Sequence, residues 1–395
     1  MFNEKMTGLG KKRSVIREIF EYSKKRAAEI GEENVFDFSI GNPSVPSPDC
    51  VNETVVRLTN ELDPVALHGY TSAQGDLSVR KAVADYINRE FKAGVSENCI
   101  YMTCGAAASL SVCIKALANE GDEFITFTPF FPEYTVFVNA AGGKLVPVKS
   151  EEGSFQIDLE AFENAINEHT KAVIVNSPNN PSGVVLNRKS IDGLCEILRR
   201  KSEEYNKPIF LISDEPYREL VYEDIEVPYL INEYDNTFVC YSFSKSMSLP
   251  GERIGYVVVS PKMTFFADAY AAVCGAGRAL GYVCAPSLFQ RVAAECLGAV
   301  SDVSVYRKNR DLLYNSLTKQ GYSCVYPDGA FYLFVKAPES DANAFCERAK
   351  KYELLLVPSD DFGCTGYVRI AYCVSTERIE KALPSFEKLI NEYKN

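Results

Sequence analysis

Five short apolar runs punctuate the middle of the chain: CIYMT (99–103), EFITFT (123–128), KAVIVNS (171–177), PIFLIS (208–213) and TFVCYS (237–242). Each is bounded by polar or glycine residues, and most are separated by stretches whose apolar residues recur at helical spacing. Runs of this length, rich in β-branched and aromatic residues, read as strands buried on both faces, and their alternation with amphipathic helices predicts a mostly parallel α/β sheet. Upstream, a helical pattern from Ser14 to Ile30 leads into an extended VFDFSI, and then GNPSVPSP (41–48) turns the chain. Gly75-Asp76 opens a further helix with apolar residues at Leu77, Val79, Val83, Tyr86 and Ile87. Downstream, Ala267 to Gly281 is rich in small residues, and the run to Lys319 reads as long helices. GAFYLF (329–334), LLLVPSDDFG (354–363) and YVRIAY (367–372) then interleave with helices to Asn395. The expected layout is an N-terminal arm over 1–47, a large α/β unit over 48–285 and a smaller α/β unit over 286–395.

Composition narrows the chemistry. A net charge of −11 lacks the basic stripe that a nucleic-acid surface needs. The first twenty residues carry charges without an apolar h-region, and no run is long and apolar enough to span a bilayer, so a soluble cytoplasmic enzyme is expected. Thirteen cysteines form no C-x-x-C pair and many sit in apolar runs, which reads as reduced core thiols. The two histidines, His68 and His169, have no zinc spacing and no triad context, which disfavours metal sites and histidine-centred hydrolysis. Neither a dinucleotide glycine fingerprint nor a P-loop is present.

The unusual residues follow the apolar runs, at the carboxyl ends of the strands, where open α/β sheets bind ligands. After 237–242 the chain reads SFSKSMSLPGERIGY, which places Ser242, Ser244, Lys245 and Arg253 together. Two hydroxyls and a guanidinium make an anion site, and a partly desolvated lysine among cations is a ready nucleophile, so the group suits a phosphorylated aldehyde. After 99–103, Gly105-Ala106-Ala107 opens a helix whose free N–H groups would form a second wall for a phosphate, although small residues there also serve packing alone. Asp214 follows 208–213; a carboxylate at the end of a buried strand needs a positive partner, or else it is the cap of the next helix. Arg369 stands in an otherwise apolar strand and is costly there unless an anion neutralises it.

The spacing Ser-x-Ser-Lys-x-x-Ser-Leu-x-Gly-x-Arg-Ile-Gly resembles the lysine signature of the class I/II aminotransferases, pyridoxal 5'-phosphate (PLP) enzymes of fold type I, and motifs from GNP to YVRIAY follow in family order. The resemblance implies a seven-stranded large-domain sheet and a smaller α/β domain. It implies that Lys245 carries PLP as a Schiff base and moves the proton from Cα, in ping-pong transfer from an L-amino acid to a 2-oxo acid. Gly105, Ala106, Ala107, Ser242, Ser244 and Arg253 would hold the phosphate, with Tyr70 reaching it from the second subunit of a homodimer with shared sites. Phe131 would stack on the ring, Asn180 and Tyr217 would meet its phenolic oxygen, and Asp214 its protonated nitrogen. Gly41, Asn180 and Arg369 would meet the substrate carboxylate, and Arg278 the distal carboxylate of an acidic substrate such as aspartate. By the residues alone, 41–48 and 178–183 are also tight turns, Phe131 and Tyr70 are also core aromatics, and Arg278 is equally a solvated or interface arginine. The same machinery serves a carbon–sulfur β-lyase, which would release pyruvate and ammonia without an acceptor. It also occurs in PLP-binding sensors, which carry a DNA-binding segment that this chain does not show.

Overall fold

The computed structural model describes residues 2–11 and 15–394. Ser14, the expected start of the first long helix, lies outside them; the helix runs Val15–Ile30 (α1). The expected runs form strands β1 (Ile100–Thr103), β2 (Glu123–Thr128), β4 (Thr170–Asn176), β5 (Phe210–Asp214) and β6 (Thr237–Ser242). Two further strands complete the sheet, β3 (Lys144–Lys149) and β7 (Gly255–Val259). The seven lie in the order β1-β7-β6-β5-β4-β2-β3, parallel except for β7, which runs antiparallel to both neighbours.

Alternating residues feed opposite faces, as the two-residue period of a strand requires. Phe124, Ile174, Ile212, Phe238 and Val257 join one core, with helices α3 (Ala106–Leu117) and α4 (Phe266–Ala279). Ile125, Val173, Val175 and Leu211 join another, against the helix Arg188–Glu204. Both faces of the central strands are therefore dry, and their carboxyl ends are where polar groups can meet a ligand. The helix Leu77–Phe91 (α2), capped by Asp76, packs Val79 and Val83 into a third cluster, whereas Leu77 is exposed. The helix Ser287–Glu295 (α5) puts Val292 and Ala293 into that same cluster. It thus packs with the helices of the large sheet, although its residues fall in the stretch from 286 that was expected to form the smaller unit.

The C-terminal part is an antiparallel sheet of β8 (Ser323–Val325), β9 (Tyr332–Lys336), β10 (Val357–Pro358) and β11 (Tyr367–Ala371), in the order β10-β11-β9-β8, backed by α6 (Ser304–Gln320) and α7 (Thr376–Asn391). Phe36 and Asp37 pair in parallel with Leu354 and Leu355. Phe38 and Val45 of the arm and Tyr217 and Leu220 from the turn after β5 share one core with Phe331, Tyr332 and Ile370. Three separate stretches of sequence are thereby locked together around the end of β5. No described helix is long and apolar enough to cross a membrane.

Candidate active site

One corner of the crevice is built for an anion. Ser242 ends β6 and caps the turn Phe243–Ser246, its Oγ accepting from the Ser244 amide at 3.2 Å and pairing with Ser244 Oγ at 2.7 Å. Opposite it, Gly105 precedes α3 at φ 88°, a left-handed conformation that glycine adopts at little cost. A Cβ at Gly105 would lie 3.1 Å from Arg253 Nη2 and 3.4 Å from Ser242 Oγ, so the hydroxyls, the guanidinium and the α3 N-terminus share one small space. Arg253 is oriented by an Nη1 hydrogen bond to the Pro250 carbonyl at 2.9 Å. Ala106 and Ala107 occupy the first turn of α3, whose unpaired N–H groups add the positive end of the helix dipole.

The amine of Lys245 is buried next to this corner. Its Nζ donates to the Gly41 carbonyl at 2.5 Å and lies 5.2 Å from the centre of the Phe331 ring. Burial, with Arg369 and Arg253 adding repulsion, pulls its pKa down to about 8, so much of it is free amine at mildly alkaline pH. Asp214 stands at the end of β5. Tyr134 donates its hydroxyl to Asp214 Oδ2 at 2.6 Å, whereas Asp214 Oδ1 is buried without a hydrogen-bond partner. Desolvation pushes this carboxyl up to about 7, even against the Tyr134 hydrogen bond. Neither carboxylate oxygen caps a helix, so the alternative reading of Asp214 as an N-cap is set aside.

Arg369, on β11, is almost wholly buried. Its Nη1 donates to Asn180 Oδ1 at 3.1 Å and its Nη2 to the Ser39 carbonyl, while its Nε is buried and unpaired. The side-chain NH2 of Asn180 makes no hydrogen bond among the described residues, and the residue is itself fixed by its backbone N–H donating to Asn176 Oδ1 at 2.7 Å. Tyr217 is buried with its hydroxyl 2.9 Å from that of Tyr332. A Cβ at Gly41 would come 2.0 Å from the Tyr332 hydroxyl, so only glycine fits there.

Phe131 is half-buried and meets Tyr134 edge-on, with ring centres 5.7 Å apart. It borders a cavity of about 230 Å³ that is also lined by Val15, Ile16, Glu133, Asp361 and Phe362. Phe362 in turn lies 5.2 Å from the Arg369 guanidinium. Two expected residues are not brought into the crevice by this chain. Tyr70 is 90% exposed, and Arg278 is exposed in the last turn of α4. The segment bearing Tyr70 lies against the start of α5, where Gln290 Nε2 donates to Thr71 Oγ1 at 3.1 Å and Ser287 Oγ to the Leu67 carbonyl at 2.6 Å. Val65, Tyr70, Leu77 and Val283 on these neighbouring segments are all exposed.

Sequence reasoning missed Tyr134, Asn176 and Tyr332. Tyr134 and Tyr332 stand in aromatic-rich stretches that read as core, and nothing in the sequence separates a tyrosine whose hydroxyl faces a carboxylate from one that only packs.

The donor set fits PLP. An unpaired, buried carboxylate oxygen at the sheet end suits a cationic ring nitrogen, and the corner at Gly105, Ser242 and Arg253 suits a phosphate. The Lys245 amine stands within the influence of Arg253 and Arg369.

The family model "Aminotransferase class I and II" matches residues 33–386. An aspartate aminotransferase from Thermotoga maritima is 32% identical over 365 residues, 91% of this chain and 92% of that one. The crystal structure of an aminotransferase from Eubacterium rectale superposes with a TM-score of 0.98 at 57% identity, covering 100% of both chains. Aspartate aminotransferase from Thermus thermophilus with maleate superposes with a TM-score of 0.86 at 27% identity, covering 98% of this chain and 99% of that one.

Proposed function

The chain belongs to the class I and II aminotransferases, a family that works with PLP, and from that premise we propose that it moves the amino group of an L-amino acid to a 2-oxo acid with Lys245 as the residue that carries PLP and shuttles the proton. The observation that carries this reading is the pair of buried, unpaired polar atoms, Asp214 Oδ1 and Arg369 Nε, in the crevice that also holds the Lys245 amine.

When bound, PLP supplies an aldehyde that accepts the amino group and a ring that draws off the electron pair of the broken Cα–H bond. The remaining work belongs to the chain. Gly105, Ala106, Ala107, Ser242, Ser244 and Arg253 hold the phosphate. Asp214, kept in place by Tyr134, becomes a carboxylate when it meets the ring nitrogen and keeps that nitrogen protonated. Asn180 NH2 and Tyr217 OH donate to the phenolic oxygen, and Phe131 covers the ring face. Arg369 grips the α-carboxylate; Asn180 and Ser39 already fix one edge of its fork, and Gly41 leaves room beside it. Lys245 Nζ, freed when the substrate amine takes its place, would accept the proton from Cα and pass it to the cofactor's C4′. Its lowered pKa suits a base at neutral to mildly alkaline pH.

The proposal includes a cytoplasmic homodimer. All thirteen cysteines are free, in keeping with a reducing compartment, and the exposed apolar group around Tyr70 is a surface for the second copy. Tyr70 would then complete the partner's phosphate site. Aspartate, the donor named for the relatives, is the proposed substrate. The cavity beside Phe131 has Glu133 and Asp361 and no basic residue among the described residues lining it, so a distal carboxylate needs a cation from elsewhere, and Arg278 of the second copy is assigned that part.

The test is a half-reaction. Addition of L-aspartate alone to the PLP-loaded protein should bleach the visible band and release one equivalent of 2-oxo acid per site. Pyruvate and ammonia in repeated turnovers from cysteine, with the visible band unchanged, would instead make the protein a carbon–sulfur lyase.

A further inference from the structure

Tyr332 has no part in the assignments above, yet its side chain touches three groups that do. Its hydroxyl lies 2.9 Å from that of Tyr217, its ring lies under the Arg369 guanidinium at 4.7 Å, and its oxygen fills the space that a side chain at residue 41 would need. It is buried on β9, where it pairs in register with Ala371, two residues along β11 from Arg369. We propose that Tyr332 is a positioning residue whose hydroxyl donates to Tyr217, so that the proton of Tyr217 is directed at the cofactor's phenolic oxygen.

Two hydroxyls 2.9 Å apart share one hydrogen bond, and so one of them donates and the other accepts. If Tyr217 spent its proton on Tyr332, it would have none for a cofactor oxygen. The surroundings decide the direction. Arg369 lies over the Tyr332 ring, and a cation there makes the phenol more acidic and a better donor. Both phenols are raised by burial, but Tyr332 only to about 12, with Arg369 the chief opposing influence, whereas Tyr217 lies well above its ordinary value. The chain Tyr332 to Tyr217 to phenolic oxygen then runs in one direction, and each bond polarises the next. The ring of Tyr332 also lies beside Gly41 of the arm, whose carbonyl accepts from the Lys245 amine. A phenylalanine keeps the ring beside Gly41 and removes the hydroxyl, the donor to Tyr217.

This inference rests on the assignment of Tyr217 to PLP, and the experiment separates the two. The PLP-loaded wild type, Tyr332→Phe, Tyr217→Phe and the double variant are titrated by visible absorption. A donor to the phenolic oxygen favours its anion and lowers the pH midpoint of the visible band. Tyr217→Phe should raise the midpoint, and Tyr332→Phe should raise it by about half a unit to one unit, a three- to tenfold change in proton affinity. The double variant should match Tyr217→Phe alone, because Tyr332 acts only through Tyr217. A shift in Tyr217→Phe with none in Tyr332→Phe overturns the inference and leaves the assignment of Tyr217 standing. No shift in either overturns both, and additive shifts in the double variant overturn the relay. Circular dichroism and PLP stoichiometry equal to wild type confirm that Tyr332→Phe is read in a folded, loaded protein.

Discussion

At the scale of single residues, the site is defined by charges that the fold buries before their partners arrive. Asp214 illustrates the cost. Its ordinary pKa is 3.8, and burial pushes it up to about 7, so in cofactor-free protein this group favours folding fully below 3.8 and loses that contribution as pH rises through about 7. Cofactor-free wild type should therefore lose melting temperature relative to Asp214→Asn between pH 3.8 and about 7. With PLP bound, a cationic ring nitrogen beside Asp214 would favour its ionised form and so oppose that trend. Parallel melting curves for wild type and Asp214→Asn without cofactor would remove this account of the carboxylate. Arg369 gives a second test at the same scale. Lysine keeps the charge but not the planar fork that Asn180 and Ser39 orient, so Arg369→Lys should cost about 2 kcal/mol, roughly thirtyfold in kcat/KM, felt mainly in KM. Steady-state kinetics checks it, and a loss confined to kcat would argue against carboxylate binding.

Elements explain why these residues meet. The ends of β1, β5 and β6 deliver Gly105, Asp214 and Ser242 to one edge, while β11 brings Arg369 from the other sheet. This was legible in the sequence to the extent that strands buried on both faces are continuous apolar runs. KLVPVK was not legible, because β3 is an edge strand, mostly unburied, and carries Pro147, which an edge tolerates. GYVVV follows directly on the lysine stretch and forms β7, the strand that holds β1 against β6. Its first residue has a strict requirement. A Cβ on Gly255 would come 2.2 Å from the Tyr241 carbonyl and 3.0 Å from Gly105 Cα. Gly255→Ala should therefore push β7 away from the phosphate corner, lowering stability by about 1–3 kcal/mol and weakening PLP retention. Thermal melting and residual PLP after dialysis measure the two effects, and a variant equal to wild type in both would contradict the packing. Tyr134 and Tyr332 show where sequence stops being informative: each stands among apolar neighbours, and its polar role depends on which distant element its hydroxyl meets.

On the scale of the whole molecule, one chain does not complete the proposed site. Tyr70 and Arg278 are exposed, and the apolar residues near Tyr70 have no cover in a single chain. A charge placed in that surface, Val283→Asp, should shift the proposed dimer toward monomer and reduce activity with it. Light scattering after size exclusion reads the mass, and a dimer with unchanged activity would place the interface elsewhere. Arg278→Leu should lower kcat/KM for aspartate and spare amino acids without a distal carboxylate; equal effects on both would withdraw the acidic preference.

The central claim is that Lys245 carries PLP and is released by the substrate amine. Borohydride reduction of the PLP-loaded protein, followed by peptide mass analysis, tests it most directly. The peptide containing Lys245 should gain the mass of a reduced pyridoxyl phosphate group. Prior addition of L-aspartate, without an acceptor, should abolish that gain and leave one equivalent of 2-oxo acid in solution. Label on another lysine, or label on Lys245 that survives every amino acid tried, would contradict the account.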